Sequence, residues 1–118
     1  MPEPIKPEEK RPLNTIEQSL FENEVIEAIR TVYDPEIPVN VYDLGLIYEL
    51  RVDEYKNVFI MMTLTSPACP VAESLPADVE RAARSVPGVG TVKLELTWDP
   101  PFTIERMSEE VRLMLGLY

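Results

Sequence analysis

The most restrictive feature of the chain is an apolar run that ends in a proline-flanked loop. Residues 58–65, VFIMMTLT, are apolar at nearly every position. Such a run is typical of a strand that is covered on both faces, or of a strand whose second face binds something else. The chain's one cysteine, Cys69, follows between Pro67 and Pro70, and an amphipathic helical pattern begins near Pro70. Because proline favours the first helical position, this order predicts a strand, a tight loop and a helix with Cys69 beside its N-cap.

The predicted position of Cys69 favours the ionised form of its thiol. Unpaired backbone N–H groups and the positive end of the helix dipole converge at a helix start. The thiolate is both the nucleophile and the metal ligand of cysteine chemistry. A buried structural cysteine is the alternative, because free cysteine is among the most buried residue types. Position alone leaves both interpretations open.

The absence of histidine from the 118 residues excludes several common kinds of site. Ser-His-Asp and Cys-His catalysis and the usual zinc sites all require histidine. With one cysteine, the chain has neither an internal disulfide nor a CxxC redox pair. An iron–sulfur cluster usually takes four cysteine thiolates, so Cys69 cannot hold one alone. A homodimer, a partner protein or a small thiol would have to supply the other ligands.

Charge and hydropathy narrow the classes of partner and the compartment. The formal net charge is −10 and no cluster of lysine and arginine stands out, so nucleic acid is not an expected partner. No apolar run is long enough to cross a membrane, and the first residues do not resemble a signal peptide. We therefore expect a cytoplasmic protein without a membrane partner.

Three further side chains are candidates for contact with a ligand at Cys69. Glu73 comes one helical turn after Cys69 and could approach the same ligand, although its negative charge opposes thiolate formation. Thr65 could donate a hydrogen bond to a sulfur or an oxyanion, whereas such hydroxyls more often satisfy loop backbone groups. Asp43 precedes Leu44-Gly45 in another loop, where aspartates usually accept hydrogen bonds from the backbone.

Hydrophobic periodicity around this junction predicts the element order α-β-β-α-β-α. The first helix opens at Thr15 or Ser19, because both match the Ser/Thr-x-x-Glu/Gln capping pattern. A hairpin with its turn at 53–57, a helix over 70–85, a strand over 91–97 and a short helix opened by Ser108 follow. We expect an α+β fold, a two-layer domain over residues 15–118 with a three-stranded sheet. The predicted buried helix faces are Leu20, Phe21, Val25, Ile26, Ile29 and Val32, then Val71, Leu75, Val79, Ala82, Ala83 and Val86, and finally Val111, Met114 and Leu115.

Three proline-containing segments need separate interpretations. Residues 1–14 combine four prolines with charged side chains and predict a disordered arm. Residues 34–45 contain two prolines and a glycine yet are rich in apolar residues, so we expect an ordered loop whose apolar side chains are also available to a partner. Pro76 lies within the second helical pattern, where it predicts either a kink or a main helix that starts near Pro76.

Three motifs in sequence order carry a family resemblance. They are 34–37 (DPEI) with 42–48 (YDLGLIY), 63–70 (TLTSPACP), and 98–102 (WDPPF) with 106–108 (RMS). With these motifs the chain resembles the SufT/PaaD-like family of iron–sulfur cluster assembly accessory proteins over about residues 20–117. The resemblance implies a fold similar to the NifU C-terminal domain, with Cys69 as the functional thiol. It also implies partnership with iron–sulfur assembly and client proteins, and a transient iron–sulfur cluster or iron shared with another chain.

Three alternatives stand beside this maturation role. The PaaD branch, linked to a phenylacetate-degradation oxygenase, carries a further cysteine-containing region that is absent up to Tyr118, so we expect the SufT-like branch. A thiol-dependent enzyme acting through Cys69 is the second alternative, although the family is not one of established enzymes. A pure interaction module that uses the 35–48 loop, with Cys69 merely packed, is the third.

Overall fold

The computed structural model describes residues 12–35, 37–65 and 74–116. These residues confirm the predicted α-β-β-α-β-α order, with a short 3-10 turn before the last helix. The elements are α1 (Thr15–Ile29), β1 (Ile47–Val52), β2 (Val58–Met62), α2 (Ser74–Arg84), β3 (Val92–Leu96), the 3-10 turn (Ile104–Arg106) and α3 (Glu109–Met114).

The three strands form one sheet in the order β1-β2-β3, so β2 lies at the centre. β1 and β2 are an antiparallel hairpin, closed where the Asp53 N–H donates to the Asn57 carbonyl at 3.0 Å. β2 and β3 are parallel, and α2 supplies the crossover that parallel neighbours require. The carboxyl ends of β2 and β3 therefore lie at the same end of the sheet as the start of β1.

The helices cover one face of the sheet, which confirms the predicted two-layer arrangement. Val58, Ile60 and Met62 of β2 are buried in the core, whereas Phe59 and Met61 between them are only half-buried. β2 therefore alternates like a strand with one packed face, although its sequence is continuously apolar. The other core residues come chiefly from α1, the 34–46 segment and α2; they include Phe21, Val25, Ile29, Val39, Val41, Leu44, Leu46, Leu75, Val79 and Ala83.

Asn14 caps α1, so the predicted caps at Thr15 and Ser19 are wrong. The Asn14 side chain accepts from the Glu17 N–H at 2.8 Å, and the Glu17 carboxylate accepts from the Asn14 N–H at 3.1 Å. This is a complete capping box that starts one residue earlier than predicted. Asparagine serves as well as serine or threonine at this position, which is why a search for the hydroxyl pattern alone misses it.

Two predicted core residues are exposed. Leu20 of α1 is 60% exposed and Met114 of α3 is 67% exposed. The buried stripe of α1 is narrower than predicted and consists of positions four residues apart: Phe21, Val25 and Ile29. The predicted face of α2 is largely confirmed, because Leu75, Val79, Ala83 and Val86 are buried and Ala82 is half-buried, whereas Val71 lies outside the described residues.

Pro76 is the third residue of α2 and is buried. The helix described from Ser74 to Arg84 therefore contains Pro76, and the two alternatives, a kink or a main helix that starts near Pro76, both stay predictions. Residues 70–73, with which the predicted helix begins, lie outside the described residues.

The described residues of the 34–45 loop, 34–35 and 37–45, are ordered and pack against the domain, as predicted. Its Val39, Val41 and Leu44 side chains are buried in the core. At the start of the chain, Leu13 packs against the core and donates its N–H to the Glu54 carbonyl at 2.7 Å. Residues 1–11 of the predicted arm lie outside the described residues, so their disorder stays a prediction.

Substitutions of two neighbouring methionines of β2 test whether only one face of the sheet packs in the core. Met62→Ala should lower the free energy of unfolding by about 2–5 kcal/mol, because the fully buried side chain leaves a cavity. The matched control, Met61→Ala on the opposite face, should lower it by about 1 kcal/mol or less. Urea denaturation followed by circular dichroism measures both values, and equal losses would contradict the two-layer arrangement.

Candidate functional site

Described segments of the three sequence motifs, 42–48, 63–65, 98–102 and 106–108, meet at the end of the sheet where β2 and β3 stop. The Thr97 N–H donates to the Met62 carbonyl at 2.9 Å, and the Thr63 N–H donates to the Leu46 carbonyl at 2.9 Å. These bonds extend the sheet beyond its regular strands, with residues 63–65 in the middle. We call this end of the sheet the motif edge; it comprises residues 42–48, 63–65 and 97–108.

Tyr48 joins the first motif to the third. Its hydroxyl donates to the Pro100 carbonyl at 2.7 Å, across 52 positions of sequence. The Arg106 guanidinium lies over the Tyr48 ring, 4.1 Å from the ring centroid. A cation above an aromatic face is attracted by the ring quadrupole, and the hydroxyl bond fixes the ring beneath it. Tyr48 therefore holds the Pro100 and Arg106 segments in place together.

Gly45 allows the backbone around Arg106 to approach the 42–48 motif. Its φ is +90°, a left-handed conformation that other residues rarely adopt. A Cβ at this position would lie 2.2 Å from the Arg106 carbonyl oxygen, well inside van der Waals contact. Close by, the Ser108 N–H donates to the Asp43 carbonyl at 3.0 Å. A residue without a side chain is therefore required where these two segments cross.

Asp43 is engaged by its neighbours. Its Oδ2 accepts from Arg30 Nη2 at 3.1 Å and from Asn40 Nδ2 at 2.9 Å, and its side chain is 26% exposed. The hydrogen bond from Arg30 to Asp43 and the negative charges of Asp43 and Glu27 raise the pKa of Arg30. These contacts tie the end of α1 to the 34–45 loop. They support the structural role that the sequence already favoured for this aspartate.

An open groove of about 320 Å³ lies between the first and third motifs. Arg106 at its rim makes no ion pair with a carboxylate of the described residues. Gly45, Tyr48 and Arg106 lie in the sequence motifs but were not predicted as site residues. Their occurrence in separate motifs was the available signal. The groove is lined by Tyr42, Asp43, Gly45, Ile47, Tyr48, Arg106 and Ser108.

Of the predicted ligand contacts, the structure describes Thr65 and Asp43. Thr65 is exposed at the motif edge, directly after buried Thr63 and Leu64. The Thr63 hydroxyl donates a hydrogen bond to the Leu64 carbonyl at 3.4 Å, so this hydroxyl satisfies a backbone group. Cys69 and Glu73 lie outside the described residues, and their contact with a ligand stays a prediction.

Two features are absent from residues 12–35, 37–65 and 74–116. No three side chains among histidine, cysteine, aspartate and glutamate come close enough to hold a metal ion. No helix in these ranges is both long enough and apolar enough to cross a membrane.

Comparisons with known proteins agree with the family resemblance. Residues 22–94 match the family described as iron-sulfur cluster assembly protein. An Fe-S protein maturation auxiliary factor of Porphyromonas gingivalis is 50% identical over 95 residues, which are 80% of this chain and 90% of that protein. The auxiliary factor YitW of Bacillus subtilis is 36% identical over 102 residues, which are 86% of this chain and 99% of that protein.

A solved structure and a longer protein extend the comparison. The crystal structure of a domain of unknown function, DUF59, from Bacillus anthracis has a TM-score of 0.79 and 37% identity, covering 89% of this chain and 100% of that chain. An iron-sulfur cluster carrier protein of Synechocystis is 32% identical over 77 residues, which are 65% of this chain and 22% of that protein. The predicted α+β fold and the resemblance to iron–sulfur assembly accessory proteins are both confirmed.

Two glycines with similar backbone conformations test the contact between Gly45 and Arg106. Gly45→Ala should lower the free energy of unfolding clearly more than Gly116→Ala, because it adds a clash with the Arg106 carbonyl to the backbone strain. Gly116 has φ +75° and nothing within 4 Å of its position for a Cβ, so alanine there should cost only about 1–2 kcal/mol. Chemical denaturation measures both variants. Equal effects would mean that the Arg106 segment does not pack on Gly45.

Proposed function

The chain belongs to the iron-sulfur cluster assembly protein family, and on this basis we propose that it is an accessory factor in the maturation of iron–sulfur proteins. Relatives that match most of its length are named Fe-S protein maturation auxiliary factors. Those names do not favour the alternative of a factor for a phenylacetate-degradation oxygenase. The observation that carries the proposal is the meeting of all three motifs at the motif edge, from which the Cys69 loop departs.

The topology supports Cys69 as a thiolate ligand at this edge. β2 and β3 are parallel, so the helix between them runs back along the sheet and begins at the motif edge. The positive end of the α2 dipole therefore points toward the end at which Thr65 precedes the cysteine loop. A thiol near a helix start loses its proton more easily, and the resulting thiolate is the species that binds iron. Glu73 and the exposed Thr65 hydroxyl are the proposed additional contacts.

The cargo is an iron–sulfur cluster or iron that is held transiently and passed on. One thiolate is a quarter of the usual cluster ligand set, so the remaining ligands come from another chain. Partial ligation suits transfer, because a client with a full set of ligands can take the cluster away. We propose that Asp43 acts by ordering the groove, since its carboxylate already accepts two hydrogen bonds.

The proposed role is binding and delivery in the cytoplasm, without a catalytic residue. A reducing compartment keeps a lone thiol available as a ligand. Assembly proteins and apo clients are the proposed partners. The groove beside Arg106 and Tyr48 offers them a surface next to the point from which the cysteine loop departs.

A cluster-transfer assay tests this role. Under anaerobic conditions, a loaded cluster donor and an apo [4Fe–4S] hydro-lyase are mixed with the protein, and the gain of client activity is followed. Cys69→Ser should slow client activation about tenfold or more, because a hard hydroxyl replaces the soft thiolate ligand. Thr65→Val should slow it by about twofold to threefold, the loss of about one hydrogen bond at most. The matched control is Thr91→Val at the opposite end of the sheet, which should leave the rate unchanged.

Two results would overturn the proposal. Client activation by Cys69→Ser at the wild-type rate would remove the thiolate from the function. Turnover of a small thiol-reactive substrate without donor or client would favour the thiol-dependent enzyme instead. Alkylation rates measured across pH distinguish the proposal from the interaction module in which Cys69 is merely packed. A functional thiolate reacts with a pKa below the usual value of about 8.5, whereas full protection from alkylation indicates a packed cysteine.

A further inference from the structure

The outer edge of β3 is open in the part of the chain that the structure describes. Two main-chain groups at the ends of β3 bond to the central strand β2. The Thr91 carbonyl accepts from the Val58 N–H at 2.8 Å, and the Thr97 N–H donates to the Met62 carbonyl at 2.9 Å. Peptide groups two residues apart point the same way along a strand. The main-chain N–H and C=O groups of Val92, Leu94 and Leu96 therefore point away from β2, toward the open edge. Such an unpaired row is a template for another strand.

The opposite edge of the sheet is obstructed. Gln18 of α1 donates its side-chain N–H to the Val52 carbonyl at 3.1 Å and so occupies an acceptor at the end of β1. β1 also has a register irregularity between Ile47 and Glu49, which disturbs a regular ladder. β3 keeps a regular register with β2 over all five of its residues. Of the two edges, β3 is the one that fits a further strand.

The charge order of β3 is self-complementary. Lys93 and Glu95 flank Leu94, and both are exposed on the face away from the helices, where they form an ion pair within the chain at 3.4 Å that can exchange for pairs between copies. In an antiparallel pair centred on Leu94, Lys93 lies opposite Glu95 of a second copy, and Glu95 lies opposite its Lys93. Opposite charges at directly facing positions stabilise strand pairs. In-register parallel pairing would instead place like charges together.

Apolar side chains on the other face fit the same arrangement. Leu96 is 40% exposed and would face Val92 of the second copy. Trp98 is 44% exposed, and in the same register it would face Gly90, which has no side chain to obstruct the indole. The register centred on Leu94 pairs the charges. The same register also covers the exposed apolar side chains of Leu96 and Trp98.

We propose that two copies of this chain associate by antiparallel pairing of their β3 edges and form a continuous six-stranded sheet. The net charge of −10 on each copy opposes association, so the local Lys93–Glu95 pairs and the main-chain bonds must outweigh it. Because the two β3 strands run in opposite directions, the two motif edges lie at opposite ends of the joined sheet. The association does not depend on the proposed function.

A charge-reversal series tests the pairing. Sedimentation over a wide concentration range should show a reversible dimer for the wild-type protein. Lys93→Glu and Glu95→Lys should each raise the dissociation constant by about tenfold or more, because each creates two like-charge contacts in the dimer. The double swap Lys93→Glu/Glu95→Lys should restore the constant to within about threefold. Arg51→Glu on β1 changes the net charge by the same amount as Lys93→Glu and should have a much smaller effect.

Amide hydrogen exchange supplies a second measurement that needs no variant. Protection of the Leu94 amide should rise with protein concentration, while that of the inward-pointing Lys93 amide should not change. A protein that stays monomeric at every concentration would overturn the proposal. So would a dimer that is insensitive to Lys93→Glu, one that Arg51→Glu weakens equally, or one that the double swap does not restore.

Discussion

The structure depends on the central strand β2, which pairs antiparallel with β1 and parallel with β3. One face of β2 fills the core, and within the described residues it is the strand that has a neighbouring strand on each side. Its mixed pairing forces α2 to cross over and brings the ends of β2 and β3 together with the start of β1. The motif edge follows from this connection. Segments that are far apart in the chain, 42–48 and 98–108, become neighbours beside the point where the cysteine loop departs.

The contacts described at the motif edge fix the positions of its backbone segments. Gly45 lets the Arg106 backbone approach, Tyr48 fixes Pro100 and carries the Arg106 guanidinium, and Asp43 holds Arg30. If Cys69 acts as the proposed thiolate ligand, a fixed frame beside its loop suits a protein that holds a cluster briefly and passes it on. Pairing through β3 would keep two such frames apart, so each would draw its remaining ligands from an assembly or client protein.

Local sequence patterns predicted most of the fold. Periodicity gave the element order, the 53–57 turn and the buried faces of α2, because these depend on neighbouring residues. The cap at Asn14 was not predicted, because the Ser/Thr-x-x-Glu/Gln pattern does not include asparagine. Leu20 and Met114 were misassigned because helical spacing cannot show how wide a face the sheet covers. The motifs named the segments that the fold brings together, but the contacts of Tyr48 and Gly45 with 98–108 join distant segments and required the fold.

Nuclear magnetic resonance tests most directly whether the three motifs form one site. The ¹⁵N-labelled protein is titrated anaerobically with ferrous iron and sulfide, and amide shifts and line broadening are mapped onto the sheet. Gly45, Tyr48, Thr65 and Arg106 should respond together at the motif edge, and the response should disappear in Cys69→Ser. A response confined to the 53–57 turn at the other end of the sheet, or one that persists without the thiol, would contradict the account.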